Sequence, residues 1–193
     1  MTTTGGAGGL PVHNSETSML SHIPKGQVTF RLIDNADEPF LLDLYKSTRA
    51  EEMSYAVMSD GDKAHFLEGQ FKMQSEGYAT AFLGASHRII QLDGMDVGRL
   101  IVLRADDVLR IIDLSLIPSV RRRGLGGDIL RSLMNEAHGG KVPVRLAVEV
   151  HNPAIRLYLR HGFTAIETRG NHYEMEWSPA HSRGSGTEKF QMA

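Results

Sequence analysis

What the sequence lacks excludes several classes of function. Cysteine is absent from its 193 residues, which excludes disulfides, thiolate catalysis and cysteine-ligated zinc or iron–sulfur sites. The nine histidines show no metal-ligand spacing. No apolar run approaches the roughly 20 residues of a membrane-spanning helix, and the first residues do not resemble a secretory signal. The formal net charge is only −2, which argues against a polybasic surface. We therefore expect a cytoplasmic protein without metal, nucleic-acid or membrane partners.

The two ends of the chain differ in composition from the middle. Residues 1–25 open with threonines and glycines, and residues 178–193 are similarly rich in small and polar side chains. Such segments bury too little apolar surface to offset the entropy lost on ordering. The sequence predicts flexible tails at residues 1–25 and 178–193, and one folded domain at residues 26–177.

Between the tails, hydrophobic periodicity predicts a strand, two helices, three strands, a helix, a strand, a helix and two strands. Asp93-Gly94 separates two apolar strands and is typical of a tight hairpin. A helix is predicted over residues 124–138, and Gly139-Gly140 is expected to end it. This order predicts a mixed α+β fold rather than a doubly wound parallel sheet.

The fourth predicted strand, residues 109–117, has two different faces. Ile112, Leu114 and Leu116 alternate on one face, and we expect it to pack beneath helices. Asp113 and Ser115 share the other face, which we expect on the substrate side. Only the fourth strand, the following helix and the fifth strand have the length of a right-handed parallel crossover. Ligands of such units bind where the strand ends and the helix begins.

The segment at that junction, residues 117–127, reads I-P-S-V-R-R-R-G-L-G-G. Glycines allow a tight turn and bring backbone N–H groups close to a ligand. The start of a helix leaves about four N–H groups unpaired and carries partial positive charge. Three arginines add formal charge, so the pattern suits a pyrophosphate, although it is neither a Walker loop nor a dinucleotide fingerprint. A basic helix start with glycines for packing is the structural alternative.

Two motifs in this region resemble the GNAT superfamily of N-acetyltransferases. R-x-x-G-x-G, beginning at Arg121, resembles the acetyl-coenzyme A loop of that superfamily. The segment beginning at Asn152 resembles its N-x-A-x-x-L-Y-x-x-x-G-F signature. The resemblance covers roughly residues 98–177. It implies the GNAT fold, in which a central, mostly antiparallel sheet is splayed between strands four and five and flanked by about four helices.

The resemblance also implies acetyl-coenzyme A as the co-substrate, and where it binds. Its pantetheine lies between the splayed strands, where backbone groups at the end of strand four face the thioester carbonyl. The glycine-rich loop takes the pyrophosphate, and an asparagine after strand five lies beside the cofactor. The residues implied in cofactor binding are Leu116, Ile117, Arg121, Arg122, Arg123, Gly124, Leu125, Gly126, Gly127 and Asn152.

Tyr158 matches the tyrosine that often protonates the leaving thiolate in the superfamily. A phenol with a pKa near 10 suits that task, and a tyrosine that is simply part of the core is the alternative. The attacking amine also needs a base, for which the first candidate is Asp113. An aspartate departs from the glutamate that is common in the family. The open alternatives are a structural ion pair of Asp113 with Arg99 or Arg145, and a base supplied by Glu149, His151 or water.

The implied function is an N-acetyltransferase that moves an acetyl group to a primary amine by direct attack, since the sequence has no cysteine and no serine elbow. The acceptor is a small-molecule or peptide amine, and the superfamily's frequent dimers imply a homodimer. The alternative is a catalytically silent coenzyme A-binding module that acts as a sensor or assembly partner. Polar candidates for acceptor selectivity are Arg49, Glu51, Glu52, Gln70, Tyr78, His172 and Tyr173.

Overall fold

The computed structural model describes residues 26–179. These residues form seven strands and four α-helices. The strands are β1 (Val28–Leu32), β2 (Ser86–Leu92), β3 (Met95–Arg104), β4 (Leu109–Leu116), β5 (Val144–Glu149), β6 (Thr164–Arg169) and β7 (His172–Trp177). The helices are α1 (Glu38–Ser54), α2 (Asp60–Ala81), α3 (Leu125–Gly140) and α4 (Ile155–Arg160). The predicted mixed α+β class is confirmed, while the predicted tails lie almost wholly outside the described residues.

All seven strands belong to one sheet, in the order β1-β2-β3-β4-β5-β7-β6. Every neighbouring pair is antiparallel except β4 and β5, which are parallel and connected through α3. That parallel pairing ends after Ile111 and Leu146, although β4 continues to Leu116 and β5 to Glu149. The two strands therefore separate toward their carboxyl ends, and the predicted splay between strands four and five is confirmed.

A bulge interrupts β4 where this separation begins. On the neighbouring strand β3, Ile101 lies opposite Asp113 and Val102 lies opposite Ile111, so Ile112 has no partner. Leu114 and Leu116 pack against the same core as Ile111, but Ile112 does not. The prediction that Ile112 shares a face with Leu114 and Leu116 is wrong, because an extra residue at a bulge breaks the alternation of sides.

Helices cover both faces of the sheet. The larger core lies between one face and α3 and α4, and its fully buried members include Ile90, Val102, Ile129, Leu130, Leu146, Phe163 and Met175. The smaller core holds α1 and α2 against the other face, through Leu41, Tyr45, Leu67, Phe71 and Ile89. Leu67 and Phe71 are the buried residues of α2. None of the helices between residues 26 and 179 is long and apolar enough to cross a membrane.

Two glycine-containing turns were predicted from the sequence; the structure has one of them as predicted and differs at the other. Asp93 and Gly94 form the predicted hairpin, with φ angles of 52° and 79°. In contrast, α3 continues through Gly139 and Gly140 and ends at Lys141, which takes the left-handed conformation with φ 56°. The predicted end of this helix at Gly139-Gly140 is therefore wrong. The N–H of Lys141 donates to the carbonyls of Ala137 and His138, so the turn that ends the helix forms one residue after the glycines.

Gly98 on β3 is required by its close contact with the end of β4. A Cβ at this position would lie 2.3 Å from the carbonyl oxygen of Ser115 and 2.8 Å from Cδ2 of Leu116. Gly98→Ala is expected to lower the free energy of unfolding by about 1–3 kcal/mol, as overpacking does elsewhere.

Gly69→Ala is the matched control, because nothing lies within 4 Å of a Cβ at this position in α2. It is expected to raise the free energy of unfolding by about 0.5–1 kcal/mol through helix propensity. Urea denaturation of both variants measures the difference, and equal stabilities would contradict the role assigned to Gly98.

Candidate active site

The separation of β4 from β5 exposes backbone groups at the end of β4. The N–H of Ile117 donates to the carbonyl of Val97 on β3 at 2.9 Å. Because the bonding direction alternates along an antiparallel strand, the N–H and C=O of Leu116 point away from β3, into the gap. There the Leu116 carbonyl accepts a hydrogen bond from Nε of Arg121 at 2.7 Å. Of the two residues predicted here, Leu116 therefore offers an N–H to a ligand, while the N–H of Ile117 is already used within the sheet.

The junction between β4 and α3 forms a cluster of unpaired amide groups. The chain passes through left-handed conformations at Arg122 (φ 57°) and Gly124 (φ 93°). The first helical hydrogen bond is donated by the N–H of Asp128 to the carbonyl of Gly124, at 3.0 Å. Within the described chain, the N–H groups of residues 122–127 have no protein acceptor. We call these N–H groups the amide nest; together with the positive end of the helix dipole they can bind an anion.

The three consecutive arginines have different surroundings. Arg121 is partly buried, and besides Leu116 its Nη2 donates to Oγ of Ser47 in α1 at 2.9 Å. Burial lowers the pKa of Arg121 below its ordinary value. Arg122 and Arg123 are exposed beside the amide nest. The guanidinium of Arg121 thus links α1 to the end of β4, and the two exposed arginines can approach a phosphate.

The glycines that follow allow α4 to lie close to the first turn of α3. A Cβ on Gly126 would lie 3.6 Å from Leu157, and a Cβ on Gly127 would lie 3.3 Å from the ring of His161. Leu125, between the turn and these glycines, is buried in the larger core. The packing of α4 therefore favours glycine at position 127, whereas a Cβ on Gly126 would make only ordinary van der Waals contact.

Asn152 lies between β5 and α4. Its Oδ1 accepts a hydrogen bond from the N–H of Ala154 at 2.9 Å, which stabilises the turn into α4. The side chain is exposed, so its amide NH₂ remains accessible to a ligand. A contact with the cofactor remains a prediction for this residue.

Tyr158 combines a buried ring with an unpaired hydroxyl. The residue is 8% exposed, and its ring packs against Phe163 with 5.8 Å between the centroids. The described residues offer its hydroxyl no hydrogen-bond partner. Burial, and secondarily the charge of Asp113, raise the pKa of Tyr158 to about 12. The ring is part of the core, as the alternative interpretation proposed, yet the phenol remains a protonated donor without a protein acceptor.

Asp113 lies in a hydrogen-bonded network on the α2 side of the sheet. One carboxylate oxygen accepts from Nε of Arg99, and the other accepts from Oγ of Ser115 at 2.6 Å. Nη2 of Arg99 donates to Oε1 of Gln74 in α2 at 2.9 Å. The ion pair that the sequence left open is therefore formed with Arg99, whereas Arg145 pairs with Glu176. Each oxygen of Asp113 accepts one of these bonds and keeps a further acceptor site, so a role of this carboxylate as the base remains a prediction.

The remaining candidates for the base lie at the end of β5. Oε1 of Glu149 is 3.2 Å from Nη1 of Arg49, which also contacts Glu52 at 3.2 Å. The guanidinium of Arg49 lies over the ring of Tyr45, 5.8 Å from its centroid. His151 is exposed. The pair of Arg49 and Glu149 thus connects α1 to β5 across the gap between the strands.

The other acceptor candidates have different surroundings. Tyr78 and His172 line a cavity next to β4, whereas Gln70 accepts from the hydroxyl of Tyr45 at 3.1 Å. Glu51 is exposed, and Tyr173 packs against the larger core. Sequence reasoning did not find the roles of Ser47 and Gln74, because each binds an arginine distant in sequence and no motif marks either residue. Residues 26–179 contain no group of side chains that could hold a metal ion.

Comparison with known proteins finds a family model that matches part of the chain. A family model described as an acetyltransferase (GNAT) domain matches residues 82–165. This portion of the chain is similar to a GNAT acetyltransferase domain. Among curated proteins, none matches the sequence.

Solved GNAT structures share the fold at low sequence identity. The PaiA N-acetyltransferase of Thermoplasma acidophilum, in complex with coenzyme A, has a TM-score of 0.59 at 16% identity, over 79% of this chain and 99% of that chain. Arabidopsis thaliana Naa50, in complex with the bisubstrate analogue CoA-Ac-MVNAL, has a TM-score of 0.52 at 16% identity, over 78% and 98%. The ribosomal-protein-S18-alanine N-acetyltransferase of Escherichia coli has a TM-score of 0.53 at 17% identity, over 86% and 100%.

The different surroundings of the arginines predict different effects of their removal. Arg121→Ala deletes the bonds to Leu116 and Ser47 and is expected to lower the free energy of unfolding by about 1.5–3 kcal/mol, as for other bonds to charged groups. Arg123→Ala, at an exposed position, is expected to change stability by less than about 0.5 kcal/mol. Urea denaturation measures both, and a stability loss in Arg123→Ala as large as that in Arg121→Ala would contradict this assignment.

Proposed function

We propose that this protein is an acetyl-coenzyme A-dependent N-acetyltransferase that transfers the acetyl group directly to a primary amine. The observation that carries the proposal is the gap between β4 and β5, which opens beside the amide nest. One end of that gap offers N–H groups and exposed arginines to a pyrophosphate. Its edge offers the N–H of Leu116, and we assign the proton donor of the reaction to the phenol of Tyr158.

Binding of the pyrophosphate at the amide nest holds the thioester in place for reaction. The N–H groups of residues 122–127, with Arg122 and Arg123, bind the pyrophosphate, and the pantetheine arm lies between β4 and β5. The thioester carbonyl then faces the N–H of Leu116. A backbone donor that stabilises a developing oxyanion contributes about 3–4 kcal/mol in other acyl-transfer sites.

In the chemical step, the neutral amine attacks the carbonyl carbon, so that a C–N bond forms and the C–S bond breaks. The amine passes its proton to water, and Asp113 remains in its ion pair with Arg99. The leaving thiolate takes a proton from the Tyr158 hydroxyl, which regains one from solvent. No acyl-enzyme forms, since the sequence contains no cysteine.

The named relatives support both substrates of this reaction. The Thermoplasma structure contains coenzyme A, the Arabidopsis structure contains a bisubstrate analogue of coenzyme A, and the Escherichia coli protein is named for the alanine of a ribosomal protein. By analogy, the acceptor of this protein is a small-molecule or peptide amine. A catalytically silent module with the same fold would bind coenzyme A without turnover.

Two measurements on the full chain test the proposal. Calorimetric titration with coenzyme A is expected to show one site per chain, and binding is expected to raise the melting temperature. Release of free thiol from acetyl-coenzyme A is expected to depend on an added amine, and hydrolysis without an amine is the control. Absence of binding would overturn the proposal, and binding without turnover over peptides, polyamines, aminoglycosides and amino acids would favour the silent module.

The role of Tyr158 predicts the behaviour of Tyr158→Phe. This change is expected to lower kcat by about 100-fold or more, the usual size of an acid–base contribution. The ring and its packing on Phe163 are kept, so affinity for coenzyme A and stability are expected to stay the same. Tyr55→Phe, at a site 80% exposed, is the control.

The pH profile gives an independent check on the same residue. A general acid works only while protonated, and the pKa of Tyr158 is raised to about 12. The kcat of the parent protein is therefore expected to show no alkaline fall until the pH approaches that value. An unchanged kcat in Tyr158→Phe would remove this phenol from the mechanism.

A further inference from the structure

A cavity of about 200 Å³ lies between the end of α2 and the sheet. Tyr78 and Phe82 form its helical wall, and the strands contribute Ile111, Ile112, Ala147, His172 and Arg110, whose guanidinium is bound to Glu174. The rings of Tyr78 and Phe82 are tilted against each other, with 6.3 Å between their centroids. The cavity therefore has mainly aromatic and aliphatic walls.

The cavity opens at the point where β4 and β5 separate. The last paired residues of the two strands are Ile111 and Leu146. The next residue on each strand, Ile112 on β4 and Ala147 on β5, lines the cavity. The guanidinium of Arg99, which pairs with Asp113, lies over the ring of Tyr78 in the cavity wall, 5.7 Å from its centroid, so the cavity adjoins the part of β4 that leads to the proposed reaction centre.

The cavity and the amide nest lie on opposite sides of the sheet. The nest begins α3, which packs on the larger core, whereas Tyr78 and Phe82 belong to the α2 side. A cofactor bound at the nest therefore reaches the gap from one face, and the cavity lies beyond the gap on the other. This position suits the second substrate, the amine.

Three carboxylates lie next to the cavity in the described part of the chain, and each of them is paired with an arginine. Asp113, which follows Ile112, pairs with Arg99. Glu149 lies opposite His172 in the sheet and pairs with Arg49. Glu174 lies opposite Ala147, and its two oxygens bind Arg110 at 2.6 and 2.9 Å. A second ammonium group on the acceptor would have to displace one of these arginines and leave it without its partner.

We propose that this cavity binds the apolar substituent of the acceptor, so that the protein selects monoamines with an aromatic or branched aliphatic group over polyamines. The inference rests on the proposed function and names its substrate class. The volume agrees with it, since an apolar cavity of about 150 Å³ accommodates benzene. The walls provide apolar contact for such a group, and the paired carboxylates provide no free anion for a second cation.

Rates with matched amines test the selectivity. The probes are phenethylamine against methylamine, and pentylamine against cadaverine, which adds a second ammonium to a chain of the same length. We expect kcat/KM for the first member of each pair to be higher by about tenfold or more, the effect of a matched apolar group in a pocket. Equal or faster use of cadaverine would overturn the proposal. A preference for hexanoyl- over acetyl-coenzyme A, with no preference among monoamines, would overturn it in favour of an acyl-chain pocket.

Substitutions in the cavity wall test whether the cavity is the source of the selectivity among amines. Phe82→Ala removes one ring, and Ala147→Leu fills the cavity from an exposed position. Each is expected to lower the ratio of kcat/KM for phenethylamine to that for methylamine by about tenfold. Leu83→Ala, at a site 80% exposed next to Phe82, is the control and is expected to keep the parent ratio. If Phe82→Ala does not fold, Ala147→Leu decides alone, and a parental ratio in Ala147→Leu would contradict the assignment.

Failure of the proposed function would be recognised separately, because no amine would then release thiol. In that case, calorimetric titration of phenethylamine and cadaverine into the complex with coenzyme A tests the cavity alone. Binding of phenethylamine that is lost in Ala147→Leu supports the cavity. Absence of phenethylamine binding, or binding of cadaverine that is equally tight, overturns it.

Discussion

The interruption of hydrogen bonding between β4 and β5 is the constraint on which the rest of this structure depends. A backbone N–H or C=O inside a protein needs a partner, and β4 extends past its last pairing with β5 at Ile111. The protein satisfies one of these groups itself, because Arg121 donates to the carbonyl of Leu116. The N–H of Leu116 remains for a ligand. A sheet with this interior gap is therefore built to receive an extended, hydrogen-bonding molecule between two of its strands.

The surrounding side chains hold the gap open. Arg99 joins Asp113 on β4 to Gln74 on α2, and Arg49 on α1 reaches Glu149 on β5. These ion pairs fix the two helices over the separated strands. Arg99 pairs with Asp113, whereas Arg49 is shared between Glu149 and Glu52. The contacts that position the site thus also balance part of the negative charge on its acceptor side.

Residues that act through local conformation were predictable from the sequence. The hairpin at Asp93-Gly94 and the glycine-rich start of α3 depend on neighbours in the chain. The bulge at Ile112 was not predictable, because it exists only relative to the register of β3. The engagement of Arg121 depends on Ser47, which lies 74 residues away. The sequence likewise could not decide whether Asp113 pairs with Arg99 or with Arg145. A shift of one residue in the pairing of two strands moves a side chain to the opposite face of the sheet.

The short β4–β5 pairing also divides the sheet. One portion contains β1 to β4, the other contains β5, β7 and β6, and only three residue pairs join them directly. Local opening follows the weakest hydrogen-bonded boundary, so amide hydrogens of the two portions are expected to exchange with solvent as separate cooperative units. A molecule that binds along the seam bridges both units and, by favouring the closed state, couples their exchange.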